Sequence, residues 1–307
     1  MDMLKTLQAL NACHGPSGDE GDVAALLEKL AMPYVDECRR DTMGNLIARR
    51  KGGGSRVMFA AHMDSIGCIV THIEKEGYLR FCKVGGLHAA ELLSTPVRFK
   101  NGVRGVVCLN ESVEAKSMTL DDLYLDIGAH DADEARAMVQ IGDTAVFDTA
   151  VFAAGDRLIS PYLDNRASCL AMLMAMEQLQ ESENDLYFVF TAQEELGLRG
   201  AKTAAYAIDP DYGVAVDVTP AADALGSKHS GSSVLGGGAA IKVMDSSVIC
   251  HPQMVSRLEV LAEERGIPAQ RDVIRSGGTD AGSIYLSRMG VLTGGISIPC
   301  RYIHAPQ

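Results

Sequence analysis

The strongest indication of fold in this sequence is an alternation of short apolar segments with helical ones in its second half. The apolar segment "LYFVFT" precedes the helical segment "GLRGAKTAAYAI", and "YGVAVDVT" follows. The helical pattern "HPQMVSRLEVLAEERG" comes later, before the apolar segment "GVLTGGISIP". Apolar runs of strand length between helices predict a sheet with parallel members, covered by helices. The sequence therefore predicts an α/β fold with a mixed sheet.

In the first half of the chain, the predicted secondary structure changes in character near residue 65. Before that point, "GDEGDVAALLEKLAM" predicts a helix, and "NLIARRKGGGSRVMFAAHMD" predicts two strands around a glycine turn. The segments between 65 and 158 are short, β-like and punctuated by glycine, with one helical stretch, "DADEARAMVQ". We therefore predict a discontinuous catalytic domain, 1–64 and 159–307, with a small β-rich domain inserted at 65–158. The segment "ECRRD" is interpreted as a charged turn.

Composition excludes several classes of function. Hydrophobic residues make up 47% of the 307 residues, charged residues make up 22%, and the net charge is −12. A negative chain is a poor partner for nucleic acid or for an anionic membrane, so neither is expected. No apolar run reaches the roughly 18 residues of a membrane span. The N-terminus does not resemble a signal peptide, and the eight cysteines form no CxxC pair, so free thiols in the cytoplasm are expected.

Side chains that bind metals recur where the apolar segments end. In an open α/β sheet, binding sites form outside the carboxyl ends of the strands. Two neighbouring carboxylates repel each other, and a carboxylate near a core loses its hydration, so Glu194 and Glu195 need a compensating charge. The candidate site residues are His62, Asp64, Asp164, Glu194, Glu195, Asp217 and His304.

A pair of divalent cations would supply that compensation. Two such cations balance the carboxylates of Asp164, Glu195 and Asp217 together with one hydroxide. Carboxylate and imidazole donors suit zinc or cobalt better than calcium or magnesium. Adjacent residues at a strand end can point in different directions, so Glu194 is free to act as a general base. Asp64 lies two residues after His62 and fits a role in holding that imidazole in one tautomer.

Each of these residues taken alone has a simpler interpretation. An isolated histidine after a strand is usually a core residue, Asp164 alone resembles a helix N-cap, and paired glutamates usually begin a solvated helix. It is the joint pattern that predicts a metal site. The glycine-rich "SVLGGGAA" and "SGGTDAGS" match no nucleotide-binding motif. The histidines without such a context, interpreted as structural or surface residues, are His14, His72, His88, His130, His229 and His251.

Taken in order, the motifs resemble those of the cytosolic di-metal aminopeptidases, the group of the glutamyl, deblocking and tetrahedral (TET) aminopeptidases. The resemblance rests on "AHMDSIG", "SPYLDNRASC", "TAQEELGLRGA", "VAVDVT", "SGGTDAG" and "IPCRYIHAP". It implies that His62, Asp164 and Asp217 hold one metal. It implies that Asp164, Glu195 and His304 hold the other, with Asp164 shared, Glu194 as the base and Asp64 supporting His62.

The same resemblance implies a peptide substrate that loses N-terminal residues, and a β-rich insert that mediates dimers, which assemble into a dodecamer. Members of this family continue beyond the "HAP" motif with about one further helix. If that helix is missing from this sequence, some apolar sheet surface is expected to be uncovered. Two alternatives stay open at this point. One is a related metal-dependent deacylase or carboxypeptidase, because the same water attack serves any amide. The other is a non-catalytic assembly protein stabilised by metal.

Overall fold

A computed structural model describes residues 1–227 and 231–306 of the chain. Its strands are β1 (Glu37–Arg40), β2 (Leu46–Arg50), β3 (Arg56–His62), β4 (Gly67–Ile73), β5 (Leu79–Val84), β6 (Pro96–Phe99), β7 (Arg104–Leu109), β8 (Leu123–Asp126), β9 (Thr144–Phe147), β10 (Phe152–Ala154), β11 (Arg157–Ile159), β12 (Asp185–Thr191), β13 (Tyr212–Pro220), β14 (Ala239–Met244), β15 (Ala269–Val273) and β16 (Leu292–Cys300). Its helices are α1 (Met3–Ala12), α2 (Gly21–Ala31), α3 (Ala89–Leu92), α4 (Ala132–Met138), α5 (Leu163–Gln178), α6 (Arg199–Ile208), α7 (Pro252–Glu264) and α8 (Ala281–Ile284).

The larger sheet has eight strands in the order β1-β2-β12-β3-β13-β16-β14-β15. Its four central strands, β12, β3, β13 and β16, are mutually parallel. The strands β1, β2 and β14 each pair antiparallel with a neighbour. The predicted mixed α/β fold is therefore confirmed. The central strands end at one edge of the sheet, which is where a site is expected in such folds.

Helices cover both faces of this sheet. Alternate residues along a strand point to opposite faces, so each face presents its own side chains to the helices. On β12, Phe188 and Phe190 pack with α1, α2 and α5, whereas the intervening Val189 packs with α6 and α8. A further buried cluster joins α7 to β14 through Val255 and Ile241. Burial on both faces explains why the central strands are nearly continuous apolar runs.

A second structural unit is a closed antiparallel barrel in the order β4-β5-β8-β7-β6-β9. Its interior is a separate apolar core that includes Leu79, Phe99 and Leu125. In the chain these strands lie between β3 and α5, and the hairpin of β10 and β11 leads back to α5. The short β-like segments predicted within 65–158 thus correspond to observed strands. The exact domain boundaries stay a prediction.

The interpretation of "ECRRD" as a turn is wrong, because Glu37–Arg40 form strand β1 and pair with β2 at the edge of the sheet. Charged side chains are tolerated there because both faces of an edge strand are partly in water. The strands β2 and β3, although joined by a glycine turn, do not pair with each other, since β12 lies between them. No helix of the described residues is long and apolar enough to cross a membrane.

Candidate metal centre

All the candidate site residues lie near the carboxyl edge of the central strands. His62 is the last residue of β3 and faces Thr191, the last residue of β12, across the parallel ladder. Glu194 and Glu195 follow β12, Asp217 lies near the end of β13, and His304 follows β16. Because the strands are parallel, their ends converge at one place.

Asp164 lies between the two histidines. Its Oδ1 atom is 2.9 Å from Nε2 of His62, and its Oδ2 atom is 3.4 Å from Nε2 of His304. The residue falls within the first turn of α5, but its backbone angles, φ −80° and ψ 101°, are not helical. Its side chain is therefore directed to the histidines and does not act as an N-cap. One carboxylate thus reaches two imidazoles at once.

The two glutamates contact different histidines. Oε2 of Glu195 is 3.3 Å from Nε2 of His304, whereas Oε2 of Glu194 is 3.8 Å from Nε2 of His62. Gln193, the preceding residue, has a left-handed backbone with φ 54°, which turns the chain sharply after β12. Asp217 completes the cluster, with its Oδ1 atom 3.7 Å from Nε2 of His62.

Asp64 is fully buried beneath His62. Nδ1 of His62 is 3.2 Å from the main-chain oxygen of Asp64 and 3.5 Å from its Oδ1 atom. Both contacts favour the tautomer with a proton on Nδ1, which leaves Nε2 directed at the carboxylates. Asp64 also accepts hydrogen bonds from the Ser17 hydroxyl at 2.6 Å and from the amides of Glu194 and Glu195.

Burial and mutual repulsion perturb the protonation of the acidic groups. Burial, together with the neighbouring acids, raises the pKa of Glu194 and the pKa of Asp217 well above their usual values. Burial is also the main cause of the raised pKa of Glu195. The pKa of Asp164 is lowered, because hydrogen bonds from His304 and His62 outweigh its burial. Such a set of opposed shifts is typical of functional sites.

The pKa values of both histidines are also raised, but for a histidine a raised pKa favours the charged form. Burial lowers the pKa of His62, but the charges of Glu194 and Asp164 outweigh it, so the pKa lies well above the usual value. Burial also acts to lower the pKa of His304. Asp164 and Glu195 outweigh this effect and raise the pKa to about 10. The carboxylates therefore attract positive charge strongly to this place.

The donor set fits metal ions. Two groups of three donor atoms are present, and within each group the atoms lie within 4.8 Å of one another. One group comes from His62, Asp164 and Glu195, and the other from His62, Glu194 and Asp217. In addition, Oε1 of Glu195 is buried and has no hydrogen-bond partner among the described residues. A buried carboxylate oxygen without a partner is costly unless a cation binds it. The residues present can therefore hold metal.

Two features of the site are not predictable from the sequence patterns above. Asp280 is buried, accepts a hydrogen bond from Thr191, and has its pKa raised to about 6, chiefly by burial. It lies in "SGGTDAGS". The sequence feature that could have indicated this residue is an acidic side chain within a glycine-rich loop. The barrel also reaches the site, since a Cβ atom on Gly86 would lie 2.6 Å from Nδ1 of His304.

Within the part of the chain that the structure describes, the histidines interpreted above as structural or surface residues lie outside both donor groups, as does His304. His14 is buried, His251 caps α7 by accepting the amide of Gln253, and the exposed ones are His72, His88 and His130. His229 lies outside the described residues.

A mixed α/β fold with a carboxylate–histidine cluster at its strand ends is the arrangement of a protein that binds metal there, and the relatives of this chain give its class as metallopeptidase. A profile of the M42 glutamyl aminopeptidase family matches residues 44–307. A provisionally named aminopeptidase of Acetivibrio thermocellus is 46% identical over 99% of this chain and 92% of its own length. The lysyl aminopeptidase of Pyrococcus furiosus is 38% identical over 95% of this chain and 87% of its own.

Solved structures agree with the sequence relatives. The aminopeptidase APDkam598 of Desulfurococcus kamchatkensis is 41% identical and superposes with a TM-score of 0.95, covering 99% of this chain and 88% of that one. This chain belongs to the M42 glutamyl aminopeptidase family. It is a metal-dependent aminopeptidase, and the family resemblance inferred from its motifs is confirmed.

Proposed function

We propose that the chain hydrolyses the N-terminal residue of peptides with the help of two divalent metal ions, zinc or cobalt. His62, Asp164 and Asp217 would hold one ion, and Asp164, Glu195 and His304 the other. The observation that carries this assignment is the position of Asp164, whose two carboxylate oxygens face the two imidazoles separately. A carboxylate that directs one oxygen to each imidazole is placed to serve two adjacent ions.

Two bound ions would make water a nucleophile at neutral pH and polarise the scissile carbonyl group. The side chains supply the proton transfers. Glu194 is the general base: its carboxylate takes a proton from the attacking water and returns it to the nitrogen of the departing amine. Asp64 keeps His62 in one tautomer and, through two amide hydrogen bonds, keeps the backbone of Glu194 and Glu195 in place.

We further propose that the chain forms homo-oligomers through its barrel. The TET1 peptidase of Pyrococcus horikoshii, which is 30% identical and superposes with a TM-score of 0.87, can assemble into a tetrahedron or a large octahedral shell. On the barrel side, the exposed apolar side chains of Tyr78, Leu93 and Ile141 support a contact surface. Light scattering coupled to gel filtration tests the assembly, since a monomer mass would contradict it.

The eight free cysteines support a reducing compartment, the cytoplasm.

The test of the activity is hydrolysis of aminoacyl-p-nitroanilides of Leu, Lys, Glu and Ala, each with a free and with an acetylated amine. We expect zinc- or cobalt-dependent release from at least one free-amine substrate, abolished by chelator. Release of acetate from the acetylated compounds, without release of p-nitroaniline from the free-amine ones, would indicate a deacylase. Release of p-nitroaniline from the acetylated compounds alone would indicate another amidohydrolase. Absence of cleavage across the panel, with metal bound, would contradict the proposal.

A further inference from the structure

The turn that carries the glutamate pair is held by side chains from three distant parts of the chain. The amide of Ala192 donates to Oδ1 of Asn45 at 2.9 Å, and the amide of Gln193 donates to Oε1 of Glu20 at 3.1 Å. The next two amides, of Glu194 and Glu195, donate to the carboxylate of Asp64 at 3.0 and 3.2 Å. Four consecutive amides thus bind side-chain acceptors. We call these acceptors, Asn45, Glu20 and Asp64, the amide clamp.

This turn needs support because its backbone is unfavourable. Gln193 has φ 54°, a left-handed conformation that costs a residue other than glycine free energy. The conformation matters for the site, because it separates the directions of the following two side chains. Glu195 contacts His304, while Glu194 lies beside His62. Loss of the left-handed turn would move both carboxylates.

Glu20 is the member of the amide clamp that binds Gln193 itself. Its side chain is buried, and Oε1 also accepts the amide of Gly18 at 2.7 Å. The segment that carries it is fixed to the site: Ser17 donates its amide to the carbonyl oxygen of Ser65 and its hydroxyl to Asp64. The carboxylate of Glu20 is thus anchored on one side by its own loop and directed at the turn on the other.

We propose that Glu20 is a positioning residue for the Glu194–Glu195 pair, and this rests on the function proposed above. Among the described residues, Glu20 contacts neither histidine of the cluster, and it is not one of the grouped metal donors. Its carboxylate holds the left-handed form of Gln193 by accepting a hydrogen bond from that residue's partly buried amide. The two catalytic carboxylates thereby keep separate positions. A side chain that orients catalytic groups in this way commonly contributes about 10–100-fold to activity.

The test compares Glu20→Ala and Glu20→Gln with the wild type at a temperature far below unfolding. We expect Glu20→Ala to lower kcat about 10–100-fold with little change in KM, since the loss concerns the reacting groups and not ground-state binding. Glu20→Gln keeps an oxygen acceptor and should recover most of the activity. Glu20→Asp, which is too short to reach Gln193, should behave like Glu20→Ala and provides a second variant if Glu20→Ala does not fold.

Asp211→Ala is the matched control, because Asp211 accepts the amide of Arg56 at 2.8 Å at the opposite end of β3. It removes the same kind of hydrogen bond far from the cluster and should leave kcat unchanged. Amide hydrogen exchange of the segment 192–198 in metal-free protein gives a readout that does not depend on activity. Exchange should be faster in Glu20→Ala than in the wild type and in Asp211→Ala.

Two results would overturn the proposal. One is a Glu20→Ala protein with normal kcat or with unchanged exchange at 192–198, because either result would mean that Glu20 does not position the glutamate pair through the turn. The other is a full additional loss when Glu20→Ala is added to Glu194→Gln, because residues that act as a unit are not additive. If Glu194→Gln itself keeps normal turnover, the assignment of the base fails instead, and the exchange experiment still decides whether Glu20 holds the turn.

Discussion

Glu194 and Glu195 are neighbours in the chain but differ in surroundings, and this difference is set by single residues. Gln193 reverses the backbone in front of them, and Asp64 accepts both of their amides. As a result, one carboxylate lies beside His62 and the other beside His304. Two identical side chains can therefore take two chemical roles, ligand and base.

A prediction at the residue scale concerns His14, which is buried and 2.8 Å from the hydroxyl of Thr144 in the barrel. Burial lowers the pKa of His14 below its usual value, although the nearby Asp19 opposes this. The unfolded chain therefore binds the proton more readily, so His14 stabilises the fold at pH values above about 6.5, and this contribution is lost as the pH falls through the folded pKa.

We expect His14→Gln to reduce the loss of stability between pH 7.5 and pH 5.5, measured by urea unfolding. The exposed His72→Gln is the control and should follow the wild type. An identical pH dependence in His14→Gln and the wild type would contradict the assignment.

Most of the site residues could be predicted because they lie near or just after the end of an apolar strand, and parallel strands bring their ends together. Asp280 and Glu20 could not be predicted in this way. Asp280 lies in a glycine-rich loop without strand context, and Glu20 directly precedes α2, a position where an acidic residue is ordinary. Their roles depend on contacts with Thr191 and Gln193, more than 80 positions away in the chain. Such contacts leave no local pattern in a sequence.

At the scale of elements, one edge of the large sheet depends on a buried ion pair. Lys242 of β14 and Asp272 of β15 are paired residues of the parallel ladder, their side chains form a salt bridge, and neither is accessible to water. Thr219 donates a further hydrogen bond to Asp272 at 3.1 Å. Removing one member would leave the other charge buried without a partner.

We therefore expect Asp272→Ala to lower the free energy of unfolding by about 3–5 kcal/mol. The double variant Lys242→Met, Asp272→Leu removes both charges and should recover most of this loss. Urea unfolding of the single and double variants measures both effects. A single variant as stable as the wild type would contradict the importance of the ion pair at this edge.

The helices and strands are easier to predict from sequence than the way in which they pair and pack. The apolar periodicity of α2, α5, α6 and α7 and of the central strands is local and is visible in the sequence. Strand β1 resembles a turn in sequence because three of its four residues are charged, and β14 and β15 are not predicted as strands. The order of strands, with β12 between β2 and β3, is fixed by tertiary packing. No short window of sequence contains that information.

At the scale of the whole molecule, the barrel and the large sheet meet at the site. The barrel loop at Gly85 and Gly86 approaches so closely that a Cβ on either would contact Glu195 or His304. The site is thus enclosed by both units, and its stability is linked to theirs. Any cation that binds the cluster stabilises the folded state, because the unfolded chain does not bring these donors together.

Chelation should therefore destabilise the protein. We expect removal of metal to lower the free energy of unfolding by roughly 4 kcal/mol relative to protein with free metal a thousandfold above its Kd. Differential scanning calorimetry with and without chelator measures the change as a lower Tm. Asp164→Asn, which alters the carboxylate proposed to be shared by the two ions, is the control and should respond little to chelator. A wild-type Tm that chelator does not change would contradict the metal site.

The most direct test of the proposed mechanism is the turnover of Glu194→Gln together with its metal content. Glutamine has nearly the same shape as glutamate but cannot accept the proton, and loss of a general base commonly costs about 10²–10⁴-fold in rate. We predict that loss in kcat on the preferred aminoacyl-p-nitroanilide, with a metal content per subunit equal to that of the wild type. Normal turnover in a fully metal-loaded Glu194→Gln protein would contradict Glu194 as the base and the mechanism proposed for this aminopeptidase.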